Sequence, residues 1–427
     1  MLKLRISCVL LLTLVLGSLQ RLRAQEPPPE PAQITDPNQQ GERIVDGRPR
    51  GYFLKRALHP LSWVDAGVLR PVYRLGSTQI FPRISLFKPG PLNVGVGGAG
   101  PSSGFGPLIT PFSGELFGNK LEIETPLLYT YKRYEVYKVN LRTPISENGP
   151  LGRTKAYVSG AYRSRPVDKF FGLGNDSSHD NESYFRTVHR EAAGGLSFEI
   201  NKNLTSSVQL SFENVGITNT RKDRDVQDVF SEVEVPGLFT GSSLRAITVA
   251  VDHDTKDDQT RPTRGGVESV EVSLKEGIGK GDFAYWNYRL DFQRFFAISR
   301  DDRQVIAIRG LAETNQEKGG SRVPFYDMPF LGSWGTLRGF DNYRFRDKSA
   351  LALGLEYRYG IWRALDWGFF LDGGQVGAEP GDFAWDRFHK AYGVRLIMLP
   401  TPKFPISADF GRSNEQWRMY INFGTRF

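Results

Sequence analysis

The stretch "ALALGLEYRY" (350–359) reads two residues at a time. Leu351, Leu353, Leu355, Tyr357 and Tyr359 fall on one side, with Gly354, Glu356 and Arg358 on the other. That period belongs to a β-strand, because successive side chains of extended backbone point to opposite faces. Seven residues on, "DWGFFLDGG" (366–374) repeats it, with Trp367, Phe369 and Leu371 alternating with Gly368, Phe370 and Asp372. The chain ends on the same pattern. In "QWRMYINFGTRF" (416–427), Trp417, Met419, Ile421, Phe423 and Phe427 oppose Gln416, Arg418, Asn422 and Arg426.

Working outward, similar alternation recurs near 206–213, 246–253, 268–274, 284–293 and 404–411. The polar face carries charges and glycines, and several runs are long enough to cross a bilayer at a tilt. A soluble sandwich also alternates, but an export signal, strand length and aromatic strand ends favour lipid. In lipid every backbone group needs a partner, so a sheet spans only if it closes. The expectation is an all-β fold: a transmembrane antiparallel β-barrel of about 16 strands over 90–427. Eleven strands begin near 92, 107, 119, 133, 153, 184, 204, 243, 267, 283 and 302; five follow at 349–360, 365–375, 389–398, 404–411 and 416–427. The first is the weakest, because "NVGVGGAGPSSGFG" (93–106) is glycine-rich. An even count places both termini on the periplasmic side, with 164–183, 214–242 and 314–348 as outer loops and 252–266 as a longer inner turn.

The N-terminus differs. Lys3 and Arg5 precede an apolar run from Cys8 to Gly17, with Ala24 where cleavage would follow. That is the layout of a secretory signal peptide over 1–25. Cys8 is the only cysteine, so the mature chain has no thiol for a disulfide or a cysteine-based metal site. Residues 26–89 read as a periplasmic tether, opening with the proline-rich "EPPPEPAQITDPNQQGE" (26–42). Within it, "HPLSWVDAGVLRPVYRL" (59–75) has the spacing of a short amphipathic helix. It fits a membrane-surface helix, a pore closure or a packed linker equally.

Composition narrows the function. The formal net charge is +8, but the basic residues are dispersed among carboxylates and the chain is exported, which argues against nucleic acid. "DHDTKDD" (252–258) lacks the glycine and distal glutamate of a calcium loop and reads as a polar turn. "GVGGAG" (95–100) lacks the Lys-Ser/Thr pair of a phosphate loop. No HExxH pair and no G-x-S-x-G elbow occur. No catalytic residue, cofactor or metal site is expected, and the protein is not read as an enzyme.

The connection 314–348 stands apart. At about 35 residues it exceeds ordinary loop lengths, and Phe330, Leu331, Trp334, Leu337 and Phe340 make it too apolar for disorder. It should pack inside the barrel. Arg338 then has two carboxylates within its compass, Glu356 and Asp372, on the inward faces of the next two strands. A guanidinium engages carboxylates as a planar fork, and low surrounding polarity makes such a pair costly to break.

Here a family resemblance emerges. "PFYDMPFLGSWGTLRGFDNYRF" (324–345) resembles the loop-six signature of the BamA/TamA-type outer-membrane assembly barrels, the bacterial surface-antigen barrels. "LEYR" (355–358), "FFLDGGQVG" (369–377), "KFFGLGND" (169–176) and "DTKDDQTRPTRG" (254–265) resemble further signatures, and Phe423 and Phe427 the usual barrel terminus. The resemblance implies a sixteen-stranded barrel whose Arg338-Gly339-Phe340 motif folds inward onto Glu356 on the next strand or Asp372 on the one after. One departure is clear: 26–89 is too short for a complete POTRA module beside the tether.

The expected role is therefore insertion or translocation of a protein or lipid client at the outer membrane of a Gram-negative-type bacterium, without POTRA domains. The alternative is a passive channel or a structural surface antigen. Expected partners are lipopolysaccharide and phospholipid, an unfolded outer-membrane protein or lipid client, and a separate periplasmic protein; no nucleic acid is expected.

Overall fold

Alternating apolar residues become hairpins wherever two such runs are joined by a short polar connection. In a computed structural model, residues 84–87, 92–117, 121–362, 364–401 and 404–423 are described. The expected signal peptide over 1–25, the expected tether before residue 84 with its 59–75 segment, and Phe427 lie outside them.

The sheet begins with β1 (Ile84–Phe87), β2 (Asn93–Gly97), β3 (Gly106–Thr110), β4 (Ser113–Leu116), β5 (Leu121–Glu124) and β6 (Leu127–Tyr129). Long strands follow: β7 (Glu135–Gly149), β8 (Gly152–Phe170), β9 (Ser183–Glu199), β10 (Leu204–Thr218), β11 (Ser242–Asp254), β12 (Gly265–Gly277), β13 (Ala284–Ala297) and β14 (Gln304–Glu317). The connection after β14 holds a two-residue hairpin, β15 (Phe330–Leu331) with β16 (Phe345–Arg346). Five strands close the sequence: β17 (Ser349–Trp362), β18 (Leu365–Gly377), β19 (His389–Thr401), β20 (Phe404–Ser413) and β21 (Trp417–Phe423).

Every pairing between the named strands is antiparallel, and from β7 onward each wall strand pairs with the next, with β14 meeting β17 across the long connection. β3 and β4 pair with β6 and β5, so each couple acts as one interrupted strand. Counted that way, β2 to β21 occupy the sixteen expected positions. β1 is an addition: it pairs with β2 inside the stretch read as tether. Four apolar-rich residues between Pro82 and Pro89 are too short to register as periodicity. Among the described residues no backbone pairing joins β1 or β2 to β21.

The connections alternate between ends. The turns 150–151, 200–203, 255–264 and 298–303 share one end, and 171–182, 219–241, 318–348 and 378–388 the other. The two faces separate by chemistry. Leu355, Phe369, Leu371, Met419 and Ile421 are exposed outward, while their neighbours Glu356, Asp372 and Asn422 are buried inward. So broad an exposed apolar surface suits contact with lipid, not water.

Candidate functional site

The long connection turns into the interior because small inward side chains leave room for it. Leu331, Leu337, Phe340 and Phe345 pack with Leu311, Ala350, Ala352, Val376 and Ala391 of the wall. Glycine completes the fit at Gly374, where a Cβ would sit 2.8 Å from Leu331 Cδ1.

At the bottom of the loop Arg338 is fully buried. Its Nε and Nη2 donate to Asp372 Oδ2 and Oδ1 at 2.7 and 2.9 Å, and its backbone N–H donates to Oδ2 at 3.2 Å. Nη1 donates to Glu356 Oε2 at 3.3 Å and lies 3.9 Å from Asp409 Oδ2. A second guanidinium shares the cluster: Arg395 Nη1 donates to both Glu356 oxygens at 3.1 Å, and its Nε lies 3.0 Å from Asp409 Oδ1. Two cations thus serve three carboxylates, each carboxylate held between more than one donor. Buried charges demand such pairing, since an uncompensated one is strongly destabilising.

Strand register builds this cluster. Glu356, Phe370, Gly393, Gly411 and Arg418 face one another in a row across β17 to β21. Gly393 lets the Phe370 ring lie flat, since a Cβ there would come 2.5 Å from the ring. The Arg338 guanidinium then sits 3.3 Å above the Phe370 centroid as a cation–π contact. Gly411 lets the loop backbone approach: its Cβ would lie 2.9 Å from Gly339 N and 3.3 Å from Arg338 Cβ. Gly339 itself has φ +85°, a conformation that side-chain-bearing residues adopt at a cost.

The residues after Arg338 reach both margins of the sheet. On the β21 side, Ser413 Oγ donates to Gly339 O at 2.7 Å and Tyr420 Oη to Phe340 O at 3.0 Å. Asp341 accepts from Arg418 at 2.6 Å and Gln416 at 3.0 Å. On the β2 side, Asn342 Nδ2 donates to Ser102 Oγ at 2.8 Å and Tyr343 Oη to Pro101 O at 3.1 Å. Residues 101 and 102 belong to the connection leaving β2. One loop therefore holds the first and last parts of the sheet.

Asp341 also meets Lys169 at 3.0 Å and His179 at 3.2 Å. Burial opposes its ionisation, but Arg418 and Lys169 outweigh that and hold its carboxyl below the usual range. His179, Glu182 and Asp341 come close enough to suggest a metal group. Lys169 Nζ bridges Glu182 and Asp341 at 2.8 and 3.0 Å, so a protein cation already serves both carboxylates.

The remaining motifs also fold inward. In "KFFGLGND", Gly174 N donates to Arg346 O at 2.9 Å, and Asn175 Oδ1 accepts from Val376 N at 3.0 Å. In "DTKDDQTRPTRG", Asp257 accepts from Thr263 and Arg264 and closes the turn, while Arg261 pairs with Asp366. The backbone of Phe423 ends β21 opposite Ile406. The structure brings Arg338, Gly339 and Phe340 together with Glu356 and Asp372. Sequence reasoning missed Arg395, Asp409, Phe370, Asn342 and Tyr343. Alternation marks the first three as inward, but only register across the barrel wall shows that they meet.

Residues 116–427 match the model of the Omp85 superfamily domain. BamA from Haemophilus ducreyi, in a crystal structure lacking POTRA domains 1–3, is 15% identical, with a TM-score of 0.58, over 78% of this chain and 70% of that one. CdiB from Acinetobacter baumannii is 12% identical with a TM-score of 0.46, over 78% of this chain and 56% of that one. CdiB from Escherichia coli is 13% identical with a TM-score of 0.47, over 82% and 67%. With its domain match spanning well over half its length and its inward-folded arginine loop on an antiparallel barrel sheet, this chain belongs to the Omp85 superfamily of outer-membrane β-barrel proteins.

Proposed function

We propose that this protein inserts or translocates a protein or lipid client at the outer membrane, using the seam between the first and last strands as the working surface. One observation carries the reading: residues 338–343 tie the β20–β21 region and the connection after β2 to a single buried loop. Among the described residues no strand pairing closes this seam, and a seam spanned by side-chain ties can open by exchanging a few hydrogen bonds. A continuous strand ladder would have to lose all of its pairs at once. Exposed strand edges in turn template the addition of another strand. In this reading Arg338 anchors the loop and performs no chemistry.

Lipid of the outer membrane surrounds the apolar face, and a separately encoded periplasmic protein delivers the client. Depletion of the protein, followed by outer-membrane proteomics and a lipid-asymmetry assay, tests the proposal; an unchanged profile of both overturns it. The competing reading, a passive channel, predicts steady large-pore current in planar bilayers from the intact chain. The proposed role predicts such current only after removal of 322–346, because the packed loop occupies the interior.

A further inference from the structure

We infer that the outward row Arg245–Glu276–Ala284–Lys318 is a phosphate-binding site for a lipid of the outer leaflet, a phosphorylated glycolipid of the lipopolysaccharide type. The row lies on β11 to β14, far from the seam in strand order, and the inference does not depend on client insertion.

Register sets the row. Arg245 on β11 faces Glu276 on β12, Glu276 faces Ala284 on β13, and Lys318 N donates to Ala284 O at 2.8 Å. The row points outward, because the alternate residues Leu244, Ala246 and Tyr285 are buried inside. Arg245 Nε and Nη2 donate to Glu276 Oε2 at 3.2 and 2.9 Å, and Lys318 Nζ donates to Oε1 at 2.8 Å. The small Ala284 side chain leaves the lane between Lys318 and Glu276 open. Two cations thus share one carboxylate, and in the adjoining turn Lys280 and Asp282 offset each other. The row keeps an excess of one positive charge. Arg245 and Lys318 remain 56% and 45% exposed, so the donors that Glu276 does not use face the surroundings.

Its level on the wall says what those surroundings are. Next to it each strand presents outward apolar or aromatic residues: Ile247, Val249 and Val251 on β11, Leu274, Val272 and Val270 on β12, Trp286, Tyr288 and Leu290 on β13. Trp286 and Tyr288 stack with ring centroids 6.2 Å apart, in the position of an aromatic girdle at a membrane interface. A second charged row ends this band. There His253 Nδ1 lies 2.9 Å from Glu268 Oε2, and Arg294 Nη2 lies 2.7 Å from Oε1. Glu268 and Glu276 are eight positions apart on β12, about 26 Å at roughly 3.3 Å per residue. A strand tilt of about 35–45° turns that into roughly 20 Å of height, so long side chains at both rows reach the edges of a ~25 Å apolar band.

The two rows differ in charge. The second has one guanidinium and one imidazole for one carboxylate, which is balanced when histidine is counted as neutral. The first has a guanidinium and an ammonium for one carboxylate. Its excess lies at the end of the sheet that carries the long connections 219–241 and 318–348, the end assigned to the outer leaflet. Phosphate accepts charge-assisted hydrogen bonds from guanidinium and ammonium alike, and the low polarity beside the apolar band strengthens them. Arg245 and Lys318 touch the same carboxylate, so one phosphate can meet both. The acyl chains of the same molecule then lie along Ile247 and Val249, which are exposed beside the row. A lipid joining phosphate to acyl chains matches both parts of the surface, whereas a free anion matches only the first. In the outer leaflet of a Gram-negative-type outer membrane, that lipid is the glycolipid.

The test uses the full chain purified in detergent micelles, with lipid retention read by native mass spectrometry. The probe is synthetic bisphosphorylated lipid A. It should be retained about tenfold or more above its dephosphorylated form, the factor that one charge-assisted hydrogen bond supplies. Arg245→Gln and Lys318→Gln should each lower retention by about that factor, while Lys318→Arg keeps most of it. Arg294→Gln removes an outward cation from the second row and should leave retention unchanged. Heat-modifiability on gels shows whether each variant keeps its barrel. Should a glutamine variant fail to fold, the comparison of the two probes on the unaltered chain still decides. Equal retention of both forms, or an equal loss in Arg294→Gln, overturns the proposal. Dioleoylphosphatidylglycerol, with its phosphate on a phospholipid, distinguishes the source. If it is held as strongly as lipid A and lost in the same variants, the assignment to the glycolipid is overturned. Retention in micelles is read without any client, so failure here leaves the proposed function standing, and the converse holds.

Discussion

Arg338 grips Asp372 at two points, Nε to Oδ2 at 2.7 Å and Nη2 to Oδ1 at 2.9 Å, while its own backbone N–H returns to Oδ2 at 3.2 Å. Three donors from one residue converge on one carboxylate, and both side chains are inaccessible to solvent. Arg338→Ala or Asp372→Ala should each cost about 3–5 kcal/mol, the cost of leaving a buried charge without its partner. Heat-modifiability on gels and urea unfolding in detergent would measure this. The double mutant should lose much less than the sum of the singles.

Glu356 should couple more weakly to Arg338 than Asp372 does. Its contact with Arg338 is a single one at 3.3 Å, and Arg395 holds both of its oxygens at 3.1 Å. A cycle of Arg338→Ala with Glu356→Gln should give the smaller coupling energy, and Arg395→Ala with Glu356→Gln the larger. Equal coupling to both carboxylates would contradict the geometry.

Gly339→Ala tests the turn. The position combines φ +85° with a Cβ that would lie 3.0 Å from Arg412 C and Ser413 N, both backbone atoms that cannot swing away. Destabilisation by about 1–3 kcal/mol is expected from the strained backbone. Limited proteolysis should then cut within 332–345, where the native loop resists.

The ties at Asn342 and Tyr343 are separable from the anchor. Asn342→Ala combined with Tyr343→Phe removes three hydrogen bonds, to Ser102, to Pro101 and from Arg165, each worth about 1 kcal/mol or somewhat more. Hydrogen exchange should rise across 98–105 and stay unchanged near Asp372. A uniform rise throughout the sheet would mean that these residues support the whole fold and not the seam.

The acid limit of the loop follows from Asp341. Its carboxyl is held below the ordinary value of 3.8, burial being outweighed by Arg418 and Lys169. A depressed carboxylate contributes stability that is fully present above the unfolded value and is lost as pH falls through the folded one. Contact of 339–343 with β21 should therefore be intact at pH 5 and weaken below about pH 4, read as exchange protection corrected for intrinsic rates. Asp341→Asn should show weaker protection at pH 5 and little further loss below it.

Much of this was legible in the residues alone. A period of two needs only local stereochemistry, so the sixteen wall-strand positions, without the β15–β16 hairpin, and the inward placement of Glu356 and Asp372 follow directly. The apolar content of the long loop, with one arginine amid glycine and aromatic residues, likewise required an interior position. β1 was not legible, because four residues between prolines carry no measurable period. Nor was the partnership of Arg395 and Asp409, which sit opposite each other by register. Their contact with Glu356 and Arg338 depends on how two further strands, β17 and β18, and a loop converge. Sequence, then, determined which side of each strand faces inward, because that is decided by neighbouring residues. Tertiary structure alone decided which inward groups meet and that one loop ties both margins of the seam, because those contacts join residues on different elements, from 18 to 242 positions apart in the chain.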